Sequence, residues 1–245
     1  MKRCFKLGAM AVACAAGVMV SAGAANFTSS ADRLHEVGLF QGTGTTASGA
    51  PQYDLDRAPT RAEAAVMLVR LLGKEADAKA LTYTAPFTDL EGWEAPYVQY
   101  LYDNKLTTGA TATTFEPKAK CSAQMYTTFL LRSLGYSDAQ NGDFTYTGAL
   151  DFAADNVGLI DESFCDTNNF LRDNVAAMSL EALATPVKAT DITLLDKLIA
   201  DGAIDQSKAA PLSSFIDLAE SYNKAVSTPI TRAEQDVTAR MTMKA

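Results

Sequence analysis

The sequence predicts an all-α protein: three helix–loop–helix repeats with pseudo-threefold symmetry pack around a central three-helix bundle, and further helices follow at the C-terminus. Three observations lead to this fold. A stretch of sequence recurs along the chain, each copy contains a nearly all-apolar helical segment, and glycines or polar turns separate the segments. A helix that is apolar on almost every side must be buried on almost every side, so three such helices can bury one another.

The first recurring stretch ends a helix and brings an apolar residue back into the core. Residues 34–42 (LHEVGLFQG) recur 67 residues later as 101–109 (LYDNKLTTG), and 157–159 (VGL) repeat 37–39. A glycine or turn residue followed by an apolar residue is a common helix end. The spacing predicts three units, of which the third is the most diverged: 25–73 (unit 1), 87–136 (unit 2) and 143–188 (unit 3).

The second recurring stretch is the apolar helix of each unit. Residues 62–72 are nearly all apolar, broken by Glu63 and Arg70, and residues 125–134 and 175–183 match them, with Arg132 and Glu181 in the place of Arg70; the first two stop at Gly73 and Gly135. These segments are the predicted central helices. The remaining residues, 189–245, contain apolar residues at helical spacing and are predicted to form a helical extension.

The first 24 residues have the order of a secretory signal peptide: a basic start, an apolar stretch over 7–20 and small residues at 22–24. We therefore expect secretion and cleavage after Ala24. A lipoprotein signal ending at Cys14 is the alternative. No later segment is long and apolar enough to predict a membrane span.

The charge and composition of the chain argue against nucleic-acid binding, binding to anionic membranes and catalysis. Removal of residues 1–24 takes away three cations and no anions, so the formal net charge falls from −8 to −11. A chain this acidic has no overall attraction for nucleic acid or an anionic membrane, and an anionic ligand would need a local basic site. His35 has no nucleophile motif beside it, and phosphate-binding glycine motifs are absent from the sequence. The prediction is a non-enzymatic protein without a cofactor or a metal site.

Two cysteines remain after signal removal, Cys121 and Cys165. An even pair in a secreted chain predicts one disulfide. Two unrelated thiols are the alternative.

The tetrapeptide Thr60-Arg61-Ala62-Glu63 reads as a capping box, in which Thr60 accepts from the Glu63 amide and Glu63 accepts from the Thr60 amide. Arg61 then falls in the first helical turn, beside amides expected to be free and to attract anions. Arginine can hold a carboxylate through two parallel hydrogen bonds, so we expect an anion site at Arg61. The alternative is that Thr60 and Glu63 only cap the helix while Arg61 is solvated or pairs with Asp54 or Asp56.

The other two units depart from this motif. In unit 2, Ser122 keeps the cap but Ala123 stands where the arginine should be. In unit 3, Arg172 survives, Leu171 replaces the cap threonine, and Asp173 weakens the local positive potential. We therefore expect a weaker second site at Arg172 and none at Ala123.

Unit 2 resembles an S-layer homology domain along its length. Phe87-Thr88-Asp89 followed by Trp93 matches that family's F-x-D…W opening, and Phe115-Glu116-Pro117 stands at its F-x-P position. Unit 1 carries the family's best-known motif, Thr-Arg-Ala-Glu, unchanged at 60–63. The resemblance covers about residues 31–188.

The resemblance implies a three-pronged helical module that binds secondary cell-wall polysaccharide attached to peptidoglycan, often through acidic, pyruvylated sugars. It implies a bacterial protein located at the cell wall or in the S-layer on the cell surface, and it makes Trp93 a further ligand contact beside Thr60, Arg61, Glu63 and Arg172. The alternative function is a structural S-layer or scaffold protein that self-associates or binds a protein partner without binding glycan.

Overall fold

The computed structural model describes residues 27–90, 92–161 and 163–227. The predicted signal peptide and the end of the C-terminal extension lie outside these residues. The all-α prediction is confirmed. The helices are α1 Thr28–Glu36, α2 Arg61–Leu71, α3 Glu75–Lys79, α4 Ala95–Asp103, α5 Ala123–Ser133, α6 Ala149–Phe152, α7 Arg172–Ala184, α8 Leu194–Ala200 and α9 Gln206–Ser227.

Four shorter elements accompany these helices among the described residues. A 3₁₀ turn, Tyr146–Gly148, leads into α6, and a π-helical turn, Ala153–Val157, follows it. Strands β1 (Gly44–Thr45) and β2 (Pro51–Gln52) form a small antiparallel hairpin in the polar segment of unit 1. Within the described part of the chain, no helix combines the length and apolar character needed to cross a membrane.

The core lies where α2, α5 and α7 meet, and these three helices contact one another pairwise. They are the predicted central helices. Every residue of α7 is buried, and most residues of α2 and α5 are buried too. Removing such helices from water is the main stabilising contribution, which explains why their sequences have almost no polar face.

The first helix of each unit covers the central helix of the unit before it. Helix α4 of unit 2 packs on α2, α6 of unit 3 packs on α5, and α1 of unit 1 packs on α7. The third of these contacts closes the arrangement into a ring. The units are therefore interdependent, because each one supplies the cover for its neighbour.

Loop carbonyls of the next unit also cap the starts of two central helices. The amides of Arg61 and Ala62 donate to the carbonyl oxygens of Ala119 (2.8 Å) and Pro117 (3.1 Å). The same arrangement is found at the start of α7, where the Arg172 amide donates to Arg57 O (3.0 Å) and the Asp173 amide to Leu55 O (3.1 Å). These two acceptors lie 62 positions before Ala119 and Pro117. These bonds satisfy amides that a helix start leaves without an intrahelical partner.

The C-terminal extension packs on the repeats. Helix α8 contacts α7, and α9 contacts both α8 and α1. The Arg33 guanidinium of α1 lies 3.6 Å from the centre of the Phe215 ring of α9, a cation–π contact. The extension thus adds a further layer beside units 1 and 3.

Two glycines provide a matched test of this packing. Gly109 and Gly38 both have left-handed backbones, with φ of +84° and +80°. A Cβ on Gly109 would lie 2.4 Å from the Phe87 ring and 2.5 Å from the Thr111 carbonyl oxygen, whereas nothing lies within 4 Å of a Cβ on Gly38.

We expect Gly38→Ala to lower the free energy of unfolding by about 1–2 kcal/mol, the cost of a left-handed alanine. Gly109→Ala should lower it by clearly more, because the same backbone cost is joined by steric overlap. Urea unfolding of the two variants measures the difference. Equal losses would contradict the close approach of Phe87 and Thr111 to Gly109.

Candidate ligand-binding site between the units

Thr60 and Glu63 form the predicted capping box at the start of α2. The Glu63 amide donates to Thr60 Oγ1 (3.2 Å), and the Thr60 amide donates to Glu63 Oε2 (2.7 Å). The Glu63 carboxylate also accepts two hydrogen bonds from the Arg57 guanidinium, at 2.6 and 2.8 Å. The contacts of both residues are therefore those of a cap and an ion pair that shape the helix start.

Two opposing effects set the pKa of Glu63. Burial acts to raise it, but the hydrogen bonds from Arg57 and from the Thr60 amide outweigh burial and hold the pKa below its ordinary value. The carboxylate therefore stays ionised at neutral pH and keeps the Arg57 pair intact.

The expectation that free amides at the start of α2 attract an anion is wrong. The amides of Arg61, Ala62 and Glu63 donate to Ala119 O, Pro117 O and Thr60 Oγ1. The sequence could not reveal the first two bonds, because their acceptors come from another unit. Any positive potential offered to a ligand here must come from the Arg61 side chain.

The Arg61 guanidinium is partly engaged and only half-buried. Its Nε donates to the Phe115 carbonyl oxygen (2.8 Å), Nη1 contacts Met125 Sδ (2.9 Å), and the group lies 5.1 Å from the centre of the Phe115 ring. Within the described residues, Arg61 Nη2 has no hydrogen-bond partner and the Arg61 guanidinium pairs with no carboxylate. The arginine near Asp54 is Arg57, whose Nε lies 4.0 Å from Asp54 Oδ2. Arg61 therefore retains donors for a ligand.

Arg61 lines a cavity of about 400 Å³, named here the Arg61 cavity. The loop Thr107–Ala110 and one side of α5 form the walls, and Tyr146 contributes from unit 3. Three units thus meet around one cavity. Its size falls in the range of small-molecule pockets, large enough for a sugar ring.

The motif residues of unit 2 hold these walls in place. Asp89 accepts the amides of Phe115 (2.9 Å) and Glu116 (2.7 Å), which fixes the turn whose carbonyl binds Arg61 Nε. Arg132, which also lines the cavity, is bonded twice to Asp138, at 2.8 and 2.7 Å. This pairing neutralises Arg132, so Arg61 is the lining cation without a carboxylate partner among the described residues.

Two aromatic residues line this cavity: Phe129, which is buried, and Tyr146, which is exposed and was not among the residues predicted from the sequence. Tyr146 is 47% exposed and lines the cavity, whereas Trp93 is 60% exposed and is not among the lining residues. A signal was available: Tyr146 follows Trp93 by 53 residues, the same interval that separates Leu106 from Leu159. Tyr146 therefore occupies the position of Trp93 in the next unit.

Arg172 has a different environment from Arg61. It is only 4% exposed, and its Nε donates to the Tyr53 carbonyl oxygen (2.8 Å). Its Nη1 contacts Met67 Sδ (3.6 Å) and its Nη2 the Gln41 carbonyl oxygen (3.4 Å), so all three nitrogens are engaged. Burial, reinforced by the nearby Arg57, lowers the pKa of Arg172. This arginine joins unit 3 to unit 1.

The predicted disulfide is not formed in the structure, where Cys121 and Cys165 are two free, buried thiols. Cys121 precedes α5, and its amide donates to the Pro59 carbonyl oxygen, while Cys165 lies in the loop before α7. Burial raises the pKa of Cys121 to about 12 and that of Cys165 to about 11. Because the thiolate is the reactive form, the raised pKa values lower the reactivity of both thiols at neutral pH.

Comparison with known proteins identifies part of this chain. Residues 86–122 match the S-layer homology domain. The match covers most of unit 2: it includes α4, Asp89 with the turn that it holds, and the loop that lines the Arg61 cavity, and it ends just before α5. Units 1 and 3 lie outside the matched residues.

Relatives are found among bacterial surface proteins. The chain is 30% identical to the middle cell wall protein of Brevibacillus brevis and 30% identical to the surface layer protein of Brevibacillus choshinensis, in each case over 112 residues. It is 28% identical over 109 residues to an endoglucanase of a Bacillus species. The alignments cover 40–45% of this chain but only 10–12% of each relative.

The S-layer homology match and the surface-protein relatives indicate a secreted protein associated with the bacterial cell wall or cell surface. The chain spans about a tenth of the length of these relatives, and the likeness concerns that tenth alone.

The Glu63–Arg57 pair predicts a specific pH dependence of stability. The folded pKa of Glu63 lies below the ordinary value of 4.5. The pair therefore contributes its full stability above pH 4.5 and loses it as the pH falls through the folded pKa.

Glu63→Gln should lower the urea midpoint at pH 7, and the difference from the unchanged protein should shrink steadily below pH 4.5. Urea unfolding between pH 7 and pH 3 tests this. Glu36→Gln, at an exposed position of α1, is the control. A difference that stays constant with pH would rule out an ionised Glu63 as its source.

Proposed function

We propose that this protein is a non-catalytic cell-surface module that binds an acidic, peptidoglycan-linked wall polysaccharide in the Arg61 cavity and so attaches itself to the cell wall. We further propose that all three units are repeats of the S-layer homology type. The observation that carries the function is the Arg61 guanidinium, which lines a cavity of about 400 Å³ and has an unbonded Nη2 within the described residues.

The charge distribution supports a ligand with a small negative group. The chain has a formal net charge of −8, so an anion is attracted only where a local cation is uncompensated. Arg132 is neutralised by Asp138, and the other lining carboxylate is that of the exposed Glu116, so Arg61 is the group left to make charge-assisted hydrogen bonds to an anion. The carboxylate of an acidic sugar fits this single guanidinium.

The remaining walls suit the body of a sugar. Tyr146 offers a half-exposed aromatic surface, and Thr107, Thr108 and Thr128 add polar groups along the cavity. We propose that the carboxylate is held by Arg61 while a sugar ring packs on Tyr146. Thr60 and Glu63 then act indirectly, by fixing the backbone that carries Arg61, and Arg172 stabilises the ring of units.

Arg61→Ala should weaken retention on purified wall sacculi by about 10- to 100-fold, because truncating a partly desolvated charge leaves the ligand carboxylate unpaired. Arg61→Lys keeps the charge without the planar fork, so it should bind at an intermediate level. Lys120→Ala, an exposed cation close to the helix start, is the matched control and should bind normally.

The sacculi are used with and without acid extraction of the secondary polymer, and circular dichroism checks that each variant is folded. Equal retention on both preparations would contradict polymer binding. Concentration-dependent assembly in the absence of wall material, together with equal retention, would favour the scaffold function instead.

Tyr146→Ala should weaken retention by about three- to tenfold, the typical effect of losing one aromatic contact. Trp93→Ala, which removes a still more exposed aromatic outside the cavity lining, should change it little. The same sacculi assay compares the two. A larger loss for Trp93→Ala would move the sugar-packing role to Trp93.

A further inference from the structure

A second cavity lies where unit 3 meets the C-terminal extension. Its volume is about 390 Å³, close to that of the Arg61 cavity, and the two share no lining residue. Tyr136, which follows α5, forms one wall; residues 156–158, 184–187 and 189–191 form the others. We name it the Tyr136 cavity.

The walls of this cavity are held by contacts of their own. The Tyr136 ring makes an edge-to-face contact with Phe152, with centroids 5.3 Å apart. The Val187 amide donates to the Ile192 carbonyl oxygen (2.9 Å), which closes the turn that carries Thr190 and Asp191. Asn156 lies in the π-helical turn, an element often found at functional sites, and Gly158 ends it with φ of +75°.

The charges around the cavity select against ionic ligands. Asp191 is the one charged side chain among the described lining residues, which disfavours an anion. A cation is disfavoured at the aromatic wall, because Lys188 Nζ already lies 5.9 Å from the centre of the Tyr136 ring and pairs with Asp143 at 2.6 Å. An uncharged polar ligand remains.

We propose that the Tyr136 cavity binds a neutral pyranose ring of the cell wall. Such a ring has a C–H face that packs on an aromatic side chain, as Tyr136 offers here. Its hydroxyls match the side chains of Asn156 and Asp191, which supply donors and acceptors on the exposed side of the cavity, while the Thr190 hydroxyl is bonded to Val187 O and Ile192 N and shapes the turn. The site is distinct from the Arg61 cavity in both position and ligand charge.

Two neutral sources share this chemistry: N-acetylated amino sugars of the peptidoglycan strand and hexose chains of a wall polymer. The probes are therefore N-acetylglucosamine trisaccharide and maltotriose, each titrated calorimetrically into the full chain. Binding of either trisaccharide supports the site, and which one binds identifies the source.

Tyr136→Ala should weaken that binding by about tenfold and Asn156→Ala by about threefold. Asn156 is exposed, so its variant tests the site even if the Tyr136 variant unfolds. Arg61→Ala should bind the neutral trisaccharide normally, which separates this site from the acidic-polymer site.

The proposal is overturned if neither trisaccharide binds at concentrations up to about 10 mM. It is equally overturned if Asn156→Ala and a folded Tyr136→Ala both bind like the unchanged protein.

Discussion

The whole structure depends on one constraint: three central helices with almost no polar face must be hidden from water, and none of the units can hide its own. The cover comes from the next unit in each case, as α4 covers α2, α6 covers α5 and α1 covers α7. Backbone hydrogen bonds follow the same direction, from the starts of α2 and α7 to loop carbonyls of the adjacent unit. Burial supplies most of the stability, while these bonds fix how the units are oriented.

This arrangement explains why the candidate site lies between units. The turn of unit 2 that caps α2 also binds Arg61 through the Phe115 carbonyl, so the contact that joins two units positions the guanidinium. The loop at Gly109 and the side chain of Tyr146 then close the cavity. An isolated unit 1 would contain Arg61 but not the other residues that line the cavity.

The sequence predicted the parts of this structure that depend on neighbouring residues. The Thr60–Glu63 cap and the apolar central helices follow from local chemistry and from helical spacing, and both are present. The bonds from Arg61 N to Ala119 O and from Arg61 Nε to Phe115 O join residues more than 50 positions apart, so the motif alone could not predict them. The pairing of Cys121 with Cys165 failed for the same reason, since it was based on an even count rather than on distance.

Arg61 and Arg172 are the first residues of α2 and α7, yet their side chains have different environments. Each arginine donates through Nε to a backbone carbonyl oxygen, Arg61 to that of Phe115 and Arg172 to that of Tyr53. The two acceptor residues are 62 positions apart in the sequence. Arg172 is also bound at Nη2 and is almost fully buried, so a ligand carboxylate would have to displace protein contacts to reach it. One of the two capping bonds is present at the start of α7: the Leu171 amide donates to Asn174 Oδ1 (2.7 Å), as the Thr60 amide does to Glu63 Oε2. The bond to a threonine hydroxyl is missing, because residue 171 is leucine. The diverged motif of unit 3 therefore still serves to close the ring.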